Sequence, residues 1–210
     1  MHYNKVFSFG LNIIVDCAIY IFEDSNSYSL SRMTEFKFMG SGVYGIFYTP
    51  TENSFYKNCT GLDRPIYVGK AVPPGWRNGR TTNKESYTLY KRLCEHAKSI
   101  SQVDGLDIGN FLCKIMTIDS NLITAVESAL IRRYRPIWNT IGGFGNHNIG
   151  STRRMQKISE FDLIHPGRPW ANGVRDEERY DQVIGKIIGF NDGLDLRRRF
   201  IPRVLSKIIR

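Results

Sequence analysis

The position of Glu127 in its predicted helix requires a chemical explanation more clearly than that of any other residue. At about 100° per residue, the apolar residues of the predicted helix 122–134 fall on one face, and Glu127 projects from the middle of it. A carboxylate on a core-facing stripe is unfavourable unless it is paired with a cation or bound to metal. A structural salt bridge is one explanation. The other is a hard divalent cation such as Mg²⁺, which prefers carboxylate and phosphate oxygens.

Arg92 and His96 form a second candidate pair. They are four residues apart, so they share one face of the predicted helix 85–100, beside its apolar stripe. Arginine can clamp a phosphate with paired hydrogen bonds, and histidine can move protons near neutral pH. The structural alternative is a packed histidine and a surface arginine.

Two tyrosines stand in short β-branched and aromatic runs that predict strands, Tyr44 in 42–49 and Tyr67 in 65–69. Buried strand tyrosines are usually core residues. A phenol titrates near pH 10 and is a poor base unless its surroundings help. Lys70, His96 or a bound metal could give that help.

Charge and composition narrow the choice of partner. The formal net charge of +9 and the pI near 9.5 favour a polyanion, with nucleic acid ahead of a membrane surface. The four cysteines, Cys17, Cys59, Cys94 and Cys113, form no CxxC pair, which argues against a structural zinc site and for free thiols in a reducing cytosol. No run reaches the roughly 18 apolar residues of a membrane span, so we expect a cytoplasmic protein without a membrane partner.

The remaining elements follow from periodicity and turn residues. Helices are predicted over 11–22, 176–188 and 194–209, and a further strand over 111–118. A buried strand is the alternative for 11–22, because β-branched residues are common there. Residues 24–28 and 71–80 are predicted loops. Ser120 or Asn121 is expected to cap the helix that carries Glu127. The glycine-rich segment 142–150 lacks the ending of a phosphate-binding loop, so nucleotide binding is rejected.

These parts together resemble the five-part signature of the GIY-YIG nuclease family. The parts are Gly42-Val43-Tyr44, Tyr67-Val68-Gly69, Arg92-x-x-x-His96, Glu127 and Asn139. They stand in the family's order on the expected elements, within about residues 40–140. Valine replaces isoleucine in both triplets. The 23-residue step between the two tyrosines is longer than the family's usual spacing and implies an inserted loop.

Further segments resemble the restriction-endonuclease branch, which includes enzymes cutting CCGCGG. They are IYVGKAVPPGW (66–76), RPIWN (135–139), GFGNH (143–147) and IHPGRPW (164–170). The resemblance implies an α+β, sandwich-like fold with a central, mainly antiparallel sheet flanked by helices. The implied domains are an N-terminal helical extension (1–39), the nuclease core (40–140), and a DNA-reading loop with a C-terminal helical extension (141–210).

The resemblance also implies roles. Glu127 would hold one Mg²⁺ per active site, with Mn²⁺ as a substitute, against the scissile phosphate. Arg92 would neutralise charge that develops on the phosphate. Asn139 would hold the phosphate or the metal shell.

The proton chemistry would fall to the tyrosines. Tyr44 would deprotonate or orient the attacking water, and His96 would support the tyrosine that acts as base. Tyr67 would position the phosphate or the water, with Lys70 as a helper.

Basic side chains in the loop after the second tyrosine strand and in the later loops are the candidates for DNA reading, by guanine contacts or by phosphate contacts alone. They are Arg77, Arg80, Arg153, Arg154, Arg168 and His147. The implied partner is double-stranded DNA, bound by a homodimer joined through its N- or C-terminal helix. A companion methyltransferase, not a stable subunit, is implied as well. The alternatives are a repair or mobile-element nuclease and a non-catalytic nucleic-acid-binding protein.

Overall fold

The structure is a computed structural model, and it describes residues 12–50, 54, 56, 60–76, 86–145, 158–171 and 176–200, without the side chains of residues 12 and 191–200. Within this part of the chain, a four-stranded sheet has the order β1-β4-β2-β3. The strands are β1 (Ser27–Ser29), β2 (Gly42–Tyr48), β3 (Tyr67–Ala71) and β4 (Phe111–Thr117). Every pairing between neighbouring strands is antiparallel.

Strand β2 lies in the interior of the sheet, and all seven of its residues are buried. Successive side chains of a strand point to opposite faces, so β2 contributes to two separate cores. Val43 and Phe47 pack with one core, and Tyr44, Ile46 and Tyr48 pack with the other.

Helices cover both faces of the sheet. They are α1 (Asn12–Asp24), α2 (Thr88–Ser101), α3 (Ser120–Tyr134), α4 (Ile137–Thr140), α5 (Glu160–Ile164) and α6 (Glu177–Phe200). α1 and α3 supply buried residues to the core of Val43 and Phe47, whereas α2, α4, α5 and α6 supply the core of Tyr44. This arrangement confirms the predicted α+β class with an antiparallel sheet flanked by helices.

The structure corrects several local predictions. Ser27–Ser29 is an edge strand paired with β4, where part of a loop was predicted. The cap of α3 is Asp119, whose carboxylate accepts a hydrogen bond from the Asn121 backbone N–H. Strand β3 begins at Tyr67 and not at Pro65, and the Ile66 backbone N–H before it donates to the Ile46 carbonyl oxygen over 2.7 Å. A single helix, α6, replaces the predicted break after residue 188, since glycine weakens a helix without ending it.

None of the helices among the described residues is long and apolar enough to span a membrane.

Candidate active site

The hydroxyl of Tyr44 and Nε2 of His96 share a hydrogen bond of 2.6 Å in the interior of the protein. Tyr44 comes from β2 and His96 from the face of α2 that packs on the sheet, and both side chains are 0% exposed. The structure thus brings these two predicted site residues together, and the hydrogen bond gives the Tyr44 hydroxyl a partner that can exchange a proton with it.

Gly69 allows this pair to form. It lies directly opposite Tyr44 in the β2–β3 ladder. A Cβ at position 69 would lie 2.4 Å from Oη of Tyr44 and 2.9 Å from Cε1 of Tyr67. Only a residue without a side chain therefore fits between the two tyrosines, which gives the glycine of the second triplet a packing reason.

Tyr67 and Arg92 meet at the turn 142–145. Nη2 of Arg92 donates to the Gly145 carbonyl oxygen over 2.6 Å. A Cβ at Gly145 would lie 2.7 Å from Oη of Tyr67, so this turn passes close to the tyrosine hydroxyl. The Phe144 ring stacks on the His96 ring with centroids 4.7 Å apart, and its contact with the Tyr67 ring is edge-on at 4.9 Å.

Glu127 and Lys70 form an ion pair beside edge strand β3. Nζ of Lys70 lies 2.7 Å from Oε2 of Glu127 and donates to Oγ1 of Thr124 over 3.3 Å. Lys70 points to the α3 face of β3, whereas Tyr67 and Gly69 point to the α2 face. The Lys70–Glu127 ion pair and the Tyr67 side chain therefore lie on opposite faces of the same edge strand.

The electrostatic surroundings keep both tyrosines protonated at neutral pH. Burial raises the pKa of Tyr44 well above its usual value, Tyr67 and Glu127 add to this rise, and Arg92 opposes it. Burial also raises the pKa of Tyr67, with Arg92 again opposing and Glu127 adding. Neither phenol is therefore ionised in advance, and a base role requires another group to accept the phenol's own proton.

The residues present fit a single Mg²⁺. The described residues contain no group of three or more His, Cys, Asp or Glu side chains able to hold a metal. A set built only from protein ligands is therefore not found in this part of the chain. Mg²⁺ commonly uses one or two carboxylates and takes its other ligands from phosphate and water. Glu127 is the carboxylate that would serve for this, because its ion pair with Lys70 holds it beside strand β3, which carries Tyr67.

Asn139 contacts the backbone of strand β3 in this structure. Its Oδ1 accepts from the Val68 backbone N–H, and its Nδ2 donates to the Val68 carbonyl oxygen, both over 2.8 Å. The side-chain amide thus pairs with the outer edge of β3 as a neighbouring strand would. Asn139 is a positioning residue in this structure, because it holds the strand between Tyr67 and Gly69.

Arg168 corrects the list of DNA-reading candidates. Arg168 is 1% exposed, and its guanidinium is taken up by an ion pair with Asp162 and by two backbone carbonyl oxygens, so it does not face a DNA-binding surface in this structure. The other five candidates, Arg77, Arg80, Arg153, Arg154 and His147, lie outside the described residues.

Sequence reasoning missed the parts played by Phe144 and Gly145. The segment GFGNH that contains them was noted for its resemblance alone. Its contacts with Arg92, His96 and Tyr67 depend on the path of the turn and leave no periodic signal.

The comparison with family models agrees with this geometry. The model described as the Eco29kI GIY-YIG domain matches residues 36–190, which is more than half of the chain. The fold and site define a GIY-YIG nuclease domain. The chain belongs to the Eco29kI GIY-YIG family, a type II restriction endonuclease family. No curated protein matches the sequence.

Proposed function

We propose that this protein is a type II restriction endonuclease that hydrolyses both strands of duplex DNA at a short palindromic site in a Mg²⁺-dependent reaction. One observation carries the proposal: Tyr44, Tyr67, Arg92 and His96 converge on one face of the sheet, while Glu127 is held by an ion pair with Lys70 on strand β3, the strand that carries Tyr67. A proton acceptor, a phosphate clamp and a metal carboxylate are the groups that phosphodiester hydrolysis requires.

The Tyr44–His96 hydrogen bond supports a two-step proton path. In this path the Tyr44 hydroxyl donates to Nε2 of His96 and transfers its proton there as it accepts one from the attacking water. The raised pKa of Tyr44 favours this path over a phenolate that exists before substrate binds. His96 would then be the final proton acceptor. Tyr44 is fully buried in this structure, so its contact with the water would form after the site opens on DNA binding.

Arg92 is the proposed phosphate clamp. Two of its guanidinium nitrogens are oriented by the Gly145 carbonyl oxygen and the Glu95 carboxylate. A preoriented guanidinium stabilises developing negative charge without reorganising during the reaction. Tyr67 is partly exposed, and its hydroxyl beside Gly145 would help to position the phosphate.

Glu127 would hold the Mg²⁺, and Mn²⁺ is expected to substitute for it. When bound, the cation supplies charge neutralisation at the scissile phosphate and makes a bound water more acidic. Lys70 fixes the Glu127 carboxylate through their ion pair and adds positive charge at the same edge of the sheet.

The net charge of +9 supports duplex DNA as the substrate. Arg77, Arg80, Arg153, Arg154 and His147 remain the proposed DNA contacts, and CCGCGG is the proposed site. Cutting both strands of a palindrome implies a two-fold symmetric homodimer with one active site per strand. Cleavage of unmodified host DNA would be lethal, so a separate methyltransferase is the expected companion.

Cleavage of long, sequence-complex DNA with Mg²⁺ tests this proposal. We expect discrete fragments whose mapped ends share one short palindrome, and no fragments from an otherwise identical substrate in which that palindrome is mutated. Random nicking, or cleavage confined to branched or damaged DNA, would refute the restriction assignment and favour a repair or mobile-element nuclease. Salt-sensitive binding without any cleavage would favour a non-catalytic role.

A further inference from the structure

The turn 142–145 closes one side of the candidate site. We propose that Arg168 and Asp162 act together as positioning residues, holding this turn against Arg92 and Tyr67 for the cleavage step. The inference rests on the proposed nuclease function. The Arg168–Asp162 ion pair is buried and contacts no reacting group, so its role in catalysis would be indirect.

Arg168 joins three parts of the fold through one guanidinium group. Its Nε donates to Oδ1 of Asp162 over 2.5 Å. Its Nη1 donates to Oγ of Ser99 and to the Phe144 carbonyl oxygen, both over 3.2 Å, and its Nη2 donates to the Gly143 carbonyl oxygen over 3.0 Å. A guanidinium is a rigid, planar fork of donors, so these partners are held at fixed relative positions.

The turn that Arg168 binds also contacts residues of the candidate site. Immediately after the two carbonyls held by Arg168, the Gly145 carbonyl accepts from Arg92. The Phe144 side chain stacks on His96 and touches Tyr67. A displacement of the turn would therefore change the orientation of the Arg92 guanidinium. It would also loosen the packing of Phe144 against His96 and Tyr67.

Ser99 completes the link, because it lies on the same helix as Arg92 and His96. These three residues are spaced i, i+4 and i+7 on α2, which places them on one helix face. Arg168 therefore binds the helix and the turn at once. Since a buried ion pair adds little net stability over apolar packing, the advantage of this one is geometric.

Arg168→Lys is the test, because it keeps the charge beside Asp162 and removes the fork that holds the turn. We expect the single-turnover cleavage rate to fall about 10²-fold, the loss typical of a misplacement near 1 Å, with the Kd for DNA unchanged. If the variant does not fold, the isosteric Asp162→Asn takes its place. A wild-type cleavage rate in the folded variant would overturn the inference.

Tyr56→Phe is the matched control. It removes a buried hydrogen bond of 2.7 Å between the Tyr56 hydroxyl and Nε2 of His165, three residues from Arg168, without touching the turn. We expect a lower Tm and a wild-type cleavage rate. If Tyr56→Phe and Arg168→Lys lose the same fraction of the rate, the effect is general destabilisation and the inference is wrong.

A second readout separates this inference from the proposed function. In protein labelled with ¹⁵N-arginine, the Arg92 Nε–H resonance can be assigned by its loss in Arg92→Lys. Relative to wild type, this resonance should shift in Arg168→Lys and should not shift in Tyr56→Phe. An unchanged resonance in Arg168→Lys would overturn the inference even without activity data. If wild-type protein binds DNA without cutting it, the proposed function fails, and the resonance still decides whether Arg168 positions Arg92.

Discussion

Gly69→Ala should disable the active site while leaving the fold intact. The added Cβ would lie 2.4 Å from Oη of Tyr44, whereas ordinary contacts begin at 3.4 Å. Relief of this clash requires a displacement of roughly 1 Å in Tyr44 or in strand β3, a shift that can cost about 10²-fold in rate. Overpacking of a buried site costs about 1–3 kcal/mol of stability. The variant should therefore still fold and bind DNA.

Gly45→Ala is the matched control, because Gly45 pairs with Val68 in the same ladder but faces the opposite core. A Cβ there would lie 2.9 Å from Cζ of Phe22, so it introduces a comparable clash away from the tyrosines. Single-turnover cleavage and urea denaturation should be measured for both variants. Wild-type cleavage by Gly69→Ala, or an equal loss of rate in Gly45→Ala, would refute the packing argument.

Three further perturbations test other parts of the structure. Tyr44→Phe removes the hydroxyl bonded to His96, and its single-turnover rate should fall about 10²–10⁴-fold at unchanged DNA affinity; a loss below tenfold would contradict the proton path. Asn139→Asp places an oxygen against the Val68 carbonyl, so urea denaturation should show a loss of about 1–3 kcal/mol, and unchanged stability would argue against the edge pairing. Burial lowers the pKa of His165 from 6.5 to about 4. The stability that His165 contributes should be complete above pH 6.5 and fall by about 3 kcal/mol as the pH drops to 4. In His165→Gln the total loss of stability over this pH range should be smaller by about that amount.

The parts of the site that follow helix or strand periodicity could be predicted from the sequence. Spacing alone placed Arg92 and His96 on one face of α2, and Glu127 on the packed face of α3. The family resemblance predicted that His96 supports the tyrosine that acts as base, and in the structure His96 shares a hydrogen bond with Tyr44.

Contacts that depend on the three-dimensional path of irregular segments could not be predicted. The amide of Asn139 meets Val68 because α4 lies against the edge of β3, and no local pattern encodes that approach. Arg168 resembled a surface arginine because charged residues are seldom fully buried, and its partner Asp162 stands on a short helix with no strong sequence signal. Strand β1 has three residues, two of them serine, which is too short and too polar to stand out.

Cleavage of duplex DNA by wild-type protein and by Glu127→Gln, with Mg²⁺ and with EDTA, tests the central claim most directly. The substitution keeps the shape of the side chain and removes the charge that would hold the cation. We expect wild-type protein to cut only with Mg²⁺, and Glu127→Gln to lose at least 10²-fold in rate while it still binds DNA. Equal cleavage by both proteins, or cleavage by wild-type protein in EDTA, would contradict the account.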